Sequence, residues 1–205
     1  MSAFELVSRN CLEAVLAHAP GARDPLPQPQ PWYVLAELGD NSTFDELGER
    51  VARSLEGRQA VLAQSAEQAR SLWRLRESIP EAQFANVKHD VSVPVSRTPE
   101  LIERAGRRLA ASFPEARVYA FGHVGDGNIH YNVGPESLVA QRAAVNRIVY
   151  DTVAELGGSI SAEHGLGQLK RDEVLAHKPA VEIELMRTLK RALDPKGLMN
   201  PGKLL

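Results

Sequence analysis

Cysteine is almost missing. Cys11 is the single one in 205 residues, so no intrachain disulfide can form and no thiolate cluster can hold a metal. Cys11 falls in an apolar helical pattern, the setting of a buried and inert thiol; a reducing compartment is compatible with it. Long apolar runs are missing too, and nothing approaches the roughly 18 residues of a membrane span. The chain has no excess of positive charge. Its 24 Lys and Arg against 26 Asp and Glu leave a net charge of -2, which argues against nucleic acid or an anionic membrane as a general partner and leaves room for local basic spots. The opening "MSAFELVSRN" lacks the basic stretch and apolar core of a signal peptide. What is present is an ordinary globular composition, 43% apolar and 24% charged, long enough to bury a sizeable core.

The pattern alternates helices and strands. Residues 4–18 carry Phe4, Val7, Cys11, Leu12, Val15 and Leu16 at helical spacing, which predicts an amphipathic helix. The loop "HAPGARDPLPQPQP" ends it. "WYVLAEL" reads as a strand and "DNSTFDELGERVARSLEG" as a helix, with Ser42 and Asp45 as a capping box. "AVLAQ" reads as a short strand, and Ser65 with Gln68 starts a third helix. In the second half, "ANVKHDVSVPV" is a strand, and "TPELIERAGRRLAASF" is a helix with Thr98 at the cap and Pro99 in the first turn. "ARVYAFGHV" and "NIHYNV" are strands. "ESLVAQRAAVNRIVYDTVAELGG" is one long helix closed by Gly157 and Gly158. Strand–helix–strand–strand–helix is the pattern of a split βαβ unit, so the expected class is α+β, an antiparallel sheet with helices on one face, built from one or two such units.

Two of the six histidines flank a tight turn in "AFGHVGDGNIHYNV". Asp126-Gly127 is a two-residue hairpin signal. With that pair at the turn centre, His123 opposes His130 with Cβ atoms roughly 5 Å apart, and Asn132 shares the face of His130. A longer loop would change the register. Two imidazoles at that distance can share a divalent ion; the alternative is a pair of turn histidines with structural hydrogen bonds. Eight of the fifteen glycines fall between residues 122 and 167 and flank each candidate ligand. "GGSISAEHGLG" supplies Glu163 as a third ligand. A His2Glu set leaves a coordination position open, as catalytic sites do, and His164 can act separately as a base. The alternative is that Glu163 caps the next helix and His164 packs.

Taken together, "GHVGDGNIHYNV", "GGSISAEHGLGQLKR" and "LDPKGLMNPGKLL" resemble the C-terminal domain of FAD-linked 2-hydroxyacid dehydrogenases. That group includes D-lactate dehydrogenase, the glycolate oxidase flavin subunit and D-2-hydroxyglutarate dehydrogenase. "LWRLRESI" and "VKHDVSVP" also look like family segments, and the resemblance covers essentially the whole chain. It implies a ferredoxin-like, duplicated antiparallel sheet with packed helices over residues 1–205, as two subdomains or one. It implies a substrate-binding half that meets an FAD-binding domain expected to lie outside these residues. His123, His130 and Glu163 look like ligands of Zn²⁺ or Mn²⁺, and His164 like the base that takes the hydroxyl proton. Arg76 looks like the grip on the substrate carboxylate and Lys88 like a second cation. Asn132 lies where an amide nears the substrate, and Asn200 and Lys203 of "NPGK" lie near the flavin. One departure stands out. Four residues after the arginine, D-2-hydroxyglutarate dehydrogenases have a substrate-touching threonine; here it is Pro80, which has no donor.

The implied activity is oxidation of a D-2-hydroxy acid to a 2-oxo acid, with an electron acceptor that the residues do not identify. The domain alone is expected to be inactive and to self-associate through the apolar surface that a flavin domain would cover. The expected location is cytoplasmic, with any membrane contact made through the full-length enzyme or its electron acceptor. Two competing readings are a stand-alone metal- or carboxylate-binding module and a metal-dependent hydrolase. His18 and His177 read as surface or capping residues, and Arg107 and Arg108 as a solvated helix face.

Overall fold

A computed structural model of the chain describes residues 1–39, 44–83 and 85–203. The Ser42–Asp45 capping box lies outside the described residues. Five strands form one antiparallel sheet in the order β2-β1-β4-β5-β3. They are β1 (Ala3–Ser8), β2 (Trp32–Glu37), β3 (Asp90–Ser92), β4 (Arg117–His123) and β5 (Asn128–Gly134). The α-helices are α1 (Arg9–His18), α2 (Phe44–Ser54), α3 (Ala66–Glu77), α4 (Ile79–Ala82), α5 (Thr98–Ser112), α6 (Arg142–Glu155), α7 (Arg171–His177) and α8 (Ala180–Leu193). The expected α+β class and antiparallel sheet with packed helices are present. In the second half, β3 and β4 run parallel with β5 between them, which is the split βαβ arrangement. The first half adds β1 and β2 to the same sheet.

Four local readings are corrected. Residues 3–8 are a strand, and the helix begins only at Arg9. Phe4 and Val7 fit a helical spacing, but pairing with both β2 and β4 wins over that local pattern. Residues 60–64 form no strand, and Val61 and Leu62 are exposed; no strand among the described residues pairs with them. The long helix is split into a 3₁₀ turn at Glu136–Gln141 and α6. Thr98 is the first residue of α5 rather than its cap.

Helices cover both faces of the sheet, not one. On one face, Val91, Ile129, Tyr131, Val133 and Ala120 pack with Leu101, Ala105 and Leu109 of α5 and Val145, Val149 and Val153 of α6. Arg108 of α5 also bonds Thr152 Oγ1 (2.9 Å) and Glu155 of α6, so this half-exposed side chain ties two helices together, while Arg107 is exposed. On the other face, Val7 and Phe121 pack with Cys11, Leu12 and Val15 of α1 and Ile79 of α4. Burial pushes the Cys11 thiol up to about 11, so it stays protonated and unreactive.

His89 belongs to the first face. It is fully buried, with Nδ1 2.7 Å from the Tyr131 carbonyl and Nε2 3.0 Å from the Asn146 carboxamide. Loss of water around the ring pushes its pKa from 6.5 down to about 4. Between those values the unfolded chain takes up a proton that the folded chain refuses. Stability therefore falls as pH drops from about 7 toward 4. The shift from 6.5 to about 4 corresponds to about 3 kcal/mol. Urea midpoints measured across that window should fall more steeply for the wild type than for His89→Gln. Equal slopes would show that the imidazole does not stay neutral in the fold.

Candidate metal and substrate site

The site occupies the second face of the sheet, where β1, β3, β4 and β5 place Glu5, Asp90, His123 and His130 beside the apolar patch of Val7 and Phe121. The hairpin between β4 and β5 is longer than its Asp-Gly pair suggests. Phe121, not His123, is paired with His130. The turn is closed by the Asp126 and Gly127 amides donating to the His123 and Val124 carbonyls, and Asp126 Oδ1 accepts from Asn128 N (3.0 Å). The expected direct opposition of the two histidines is therefore corrected to a diagonal one. A register shift of two residues keeps a side chain on the same face, so both imidazoles still face one site. Gly127 has φ +81° and comes so close to the residue after β3 that a Cβ would lie 2.0 Å from the Val93 carbonyl oxygen.

Three further strand and loop positions complete the cluster. Glu5 of β1 pairs with His123, and Asp90 of β3 pairs with His130. Asp90 Oδ2 accepts from the backbone amides of Glu163 (3.0 Å) and His164 (3.3 Å), which fixes that loop against the sheet. Lys170 Nζ adds a clamp on the Ile160 carbonyl (2.9 Å) and Ser161 Oγ (3.2 Å). Glu163 Oε1 then lies 3.2 Å from His123 Nε2 and accepts from Asn128 Nδ2 at 2.6 Å. Asp90, His130 and Glu163 each offer a ligand atom, all within 4.8 Å of one another. The structure thus gathers Asp90, His130 and Glu163 around one point, and His123 meets this group through Glu163.

Electrostatics of the cluster favour a cation. Glu5 Oε1 can only accept, so His123 Nδ1 donates to it. In a neutral ring that leaves a lone pair on Nε2 facing a carboxylate oxygen at 3.2 Å. Two acceptors at that distance require a proton or a metal ion between them. Asp90 Oδ1 is buried, has no hydrogen-bond partner among the described residues, and lies 4.0 Å from His130 Nδ1. His130 stacks on Phe121 with ring centroids 4.8 Å apart. Burial lowers its pKa, which favours the neutral form that a metal needs. The nitrogen and oxygen donors suit a divalent metal ion.

The other predicted residues are placed as follows. Arg76 of α3 lies over the Phe121 ring, 4.8 Å from its centroid, and donates from Nε to Glu5 Oε2 at 2.7 Å. Its Nη nitrogens make no hydrogen bond to a described residue and form the edge that could meet a carboxylate. Lys88 is exposed, with Nζ 3.5 Å from the Pro80 carbonyl. The His164 imidazole is exposed and bonds no described residue, whereas its backbone is held by Asp90 and by Ser161 Oγ (2.6 Å). Asn132 is buried and largely committed: Oδ1 accepts from His89 N, and Nδ2 donates to Gln83 Oε1 (3.0 Å), leaving one N–H. In the tail, Lys203 Nζ reaches Gln168 Oε1 (3.0 Å) and Arg171 Nη1 reaches the Gly202 carbonyl (3.3 Å). Asn200–Lys203 therefore packs on the segment that follows Glu163 and His164. Glu5 and Asp90 were missed from sequence. Asp90 had a signal, since it alternates with Lys88 on one strand face, but Glu5 was hidden by the helical reading of residues 4–18.

Comparison with known proteins shows the family of the chain. The model of the family "FAD linked oxidases, C-terminal domain" matches residues 1–204. The chain is 38% identical over 217 residues to the D-2-hydroxyglutarate dehydrogenase of Xanthomonas citri, covering all of this chain and 46% of that protein. It is 37% identical to the mitochondrial enzyme of that name from Arabidopsis thaliana and 38% to the one from Bos taurus, again over all of this chain and 38% and 39% of theirs. The chain therefore spans less than half the length of these relatives. The cytoplasmic expectation does not stand, because the relatives from rice, Arabidopsis, zebrafish, cattle and rat are named as mitochondrial. No helix among the described residues is long and apolar enough to cross a membrane. With a family model covering nearly every residue, this chain belongs to the FAD linked oxidases, C-terminal domain family.

Proposed function

We propose that this chain is the substrate- and metal-binding part of a flavin-dependent enzyme that oxidises a D-2-hydroxy acid to the 2-oxo acid. The observation that carries the reading is the facing of His123 Nε2 and Glu163 Oε1 at 3.2 Å, beside the unpartnered Asp90 Oδ1. His123, His130, Glu163 and Asp90 are the residues that would hold the divalent ion, Zn²⁺ or Mn²⁺. When bound, such an ion polarises an oxygen and lowers its pKa, and a flavin supplies the hydride acceptor. The chain's own residues do the rest. The Nη edge of Arg76 binds the substrate carboxylate through two parallel hydrogen bonds. Lys88 adds positive charge beside it. The free imidazole of His164 takes the hydroxyl proton. The last N–H of Asn132 orients the substrate, and Asn200 and Lys203 stand toward the flavin from the FAD-binding half.

D-2-hydroxyglutarate is the first substrate to try, since the relatives above carry that name. Pro80 replaces the threonine expected there, so D-lactate and glycolate belong in the same panel. The test is flavin reduction followed by dye reduction, with the full-length protein loaded with FAD and metal. At least one D-2-hydroxy acid should bleach the flavin. A folded, loaded protein that reduces its flavin with none of them would remove the substrate class.

A further inference from the structure

Glu5 is the most buried charge at the site, 2% exposed, yet nothing about flavin chemistry requires a carboxylate on β1. Its two oxygens serve different parts of the site. Oε2 takes the Nε–H of Arg76, and Oε1 takes His123 Nδ1. We propose that Glu5 is a positioning residue that sets the tautomer of His123, aims its Nε2 lone pair at the ion-binding position, and holds Arg76 with its Nη edge turned to the substrate carboxylate. One buried charge then couples the metal ligand to the carboxylate grip. The metal half of this inference rests on the function proposed above; the tautomer half does not.

Geometry decides the tautomer. A neutral His123 ring has one N–H and two carboxylates to give it to. Glu5 is buried, so loss of this bond would leave its Oε1 an unpaired buried acceptor. Glu163 is 39% exposed and already accepts from Asn128. A buried acceptor left unpaired costs more than an exposed one, so the proton resides on Nδ1. A glutamine at position 5 reverses this. Its carboxamide accepts on one atom only and donates from the other. Arg76 cannot give up its proton, so it keeps the amide oxygen. The amide NH2 then faces His123 Nδ1, which must become an acceptor. The ring proton moves to Nε2, onto the atom that should bind the ion.

The test is ¹⁵N-histidine NMR of the 205-residue chain, metal-free and at a pH where the ¹⁵N shifts report neutral rings. His123 is assigned by the signals lost in His123→Asn. Wild type should show the Nδ1–H tautomer at His123, and Glu5→Gln the Nε2–H tautomer. Glu5→Asp keeps an acceptor-only group and should restore Nδ1–H. Zn²⁺ titration of the same samples should show affinity reduced roughly 10–100-fold in Glu5→Gln, the usual effect of losing a partner that orients a ligand histidine, and less in Glu5→Asp. An Nε2–H tautomer in the wild type would overturn the proposal without needing any variant to fold. So would an unchanged tautomer or unchanged Zn²⁺ affinity in a folded Glu5→Gln. Wild type that shows Nδ1–H but binds neither Zn²⁺ nor Mn²⁺ would overturn the metal half, and the tautomer half would then be decided by Glu5→Gln alone.

Discussion

Replacing His164 with alanine should slow flavin reduction by roughly 10²–10⁴-fold, the range for removing a general base, in full-length protein that still binds FAD and metal. The expectation rests on how the residue is held. Its backbone amide is fixed by Asp90 Oδ2 and its carbonyl by Ser161 Oγ, while the imidazole is exposed and contacts no described partner by hydrogen bond. Truncation therefore removes a proton acceptor and almost no folding energy. The turnover number should fall while KM changes little, because the ring is not part of the carboxylate grip. The limb of the pH–rate profile that reports the base should vanish with it. A variant with near-normal reduction, or with a large rise in KM at unchanged turnover, would take His164 out of proton transfer.

How much of this could be read from the sequence depended on range. The turn glycines, the helix from Ser65 and the β4–β5 hairpin are local features, and each is where the pattern placed it. Ser65 Oγ does accept from Gln68 N at 3.2 Å. The exact register was not legible, because a two-residue and a four-residue turn leave the same sequence trace. The histidines stayed on one face because the error was an even number of residues. Non-local pairing was not legible either. Nothing within "MSAFELVS" announces that it enters the sheet between β2 and β4, and so Glu5 could not be seen beside His123. Asp90 was visible as a polar residue on a strand, but its bond to the Glu163 and His164 amides spans more than seventy residues. Asn132 shows the reverse. The family resemblance implied substrate contact for it, and the fold commits most of its amide to His89 and Gln83.

The central claim is that Glu163 anchors a metal centre, and removing its charge should have a large effect. Glu163→Gln is nearly isosteric and keeps an oxygen that can accept from Asn128 Nδ2, so the loop held by Asp90 should stay in place. What it loses is the anionic oxygen opposite His123 Nε2 and next to Asp90 and His130. A carboxamide oxygen is a much weaker ligand for a divalent ion than a carboxylate. The loss should exceed the roughly 10–100-fold that follows removal of a residue merely supporting a ligand. Calorimetric titration of Zn²⁺ and of Mn²⁺ into the metal-free 205-residue chain, with Glu163→Gln measured alongside and its fold checked by circular dichroism, tests this most directly. The structure predicts one ion per chain for at least one of the two metals, with affinity reduced more than about 100-fold in the variant. Absence of binding to the wild type, or equal affinity in a folded Glu163→Gln, would contradict a metal centre at this site.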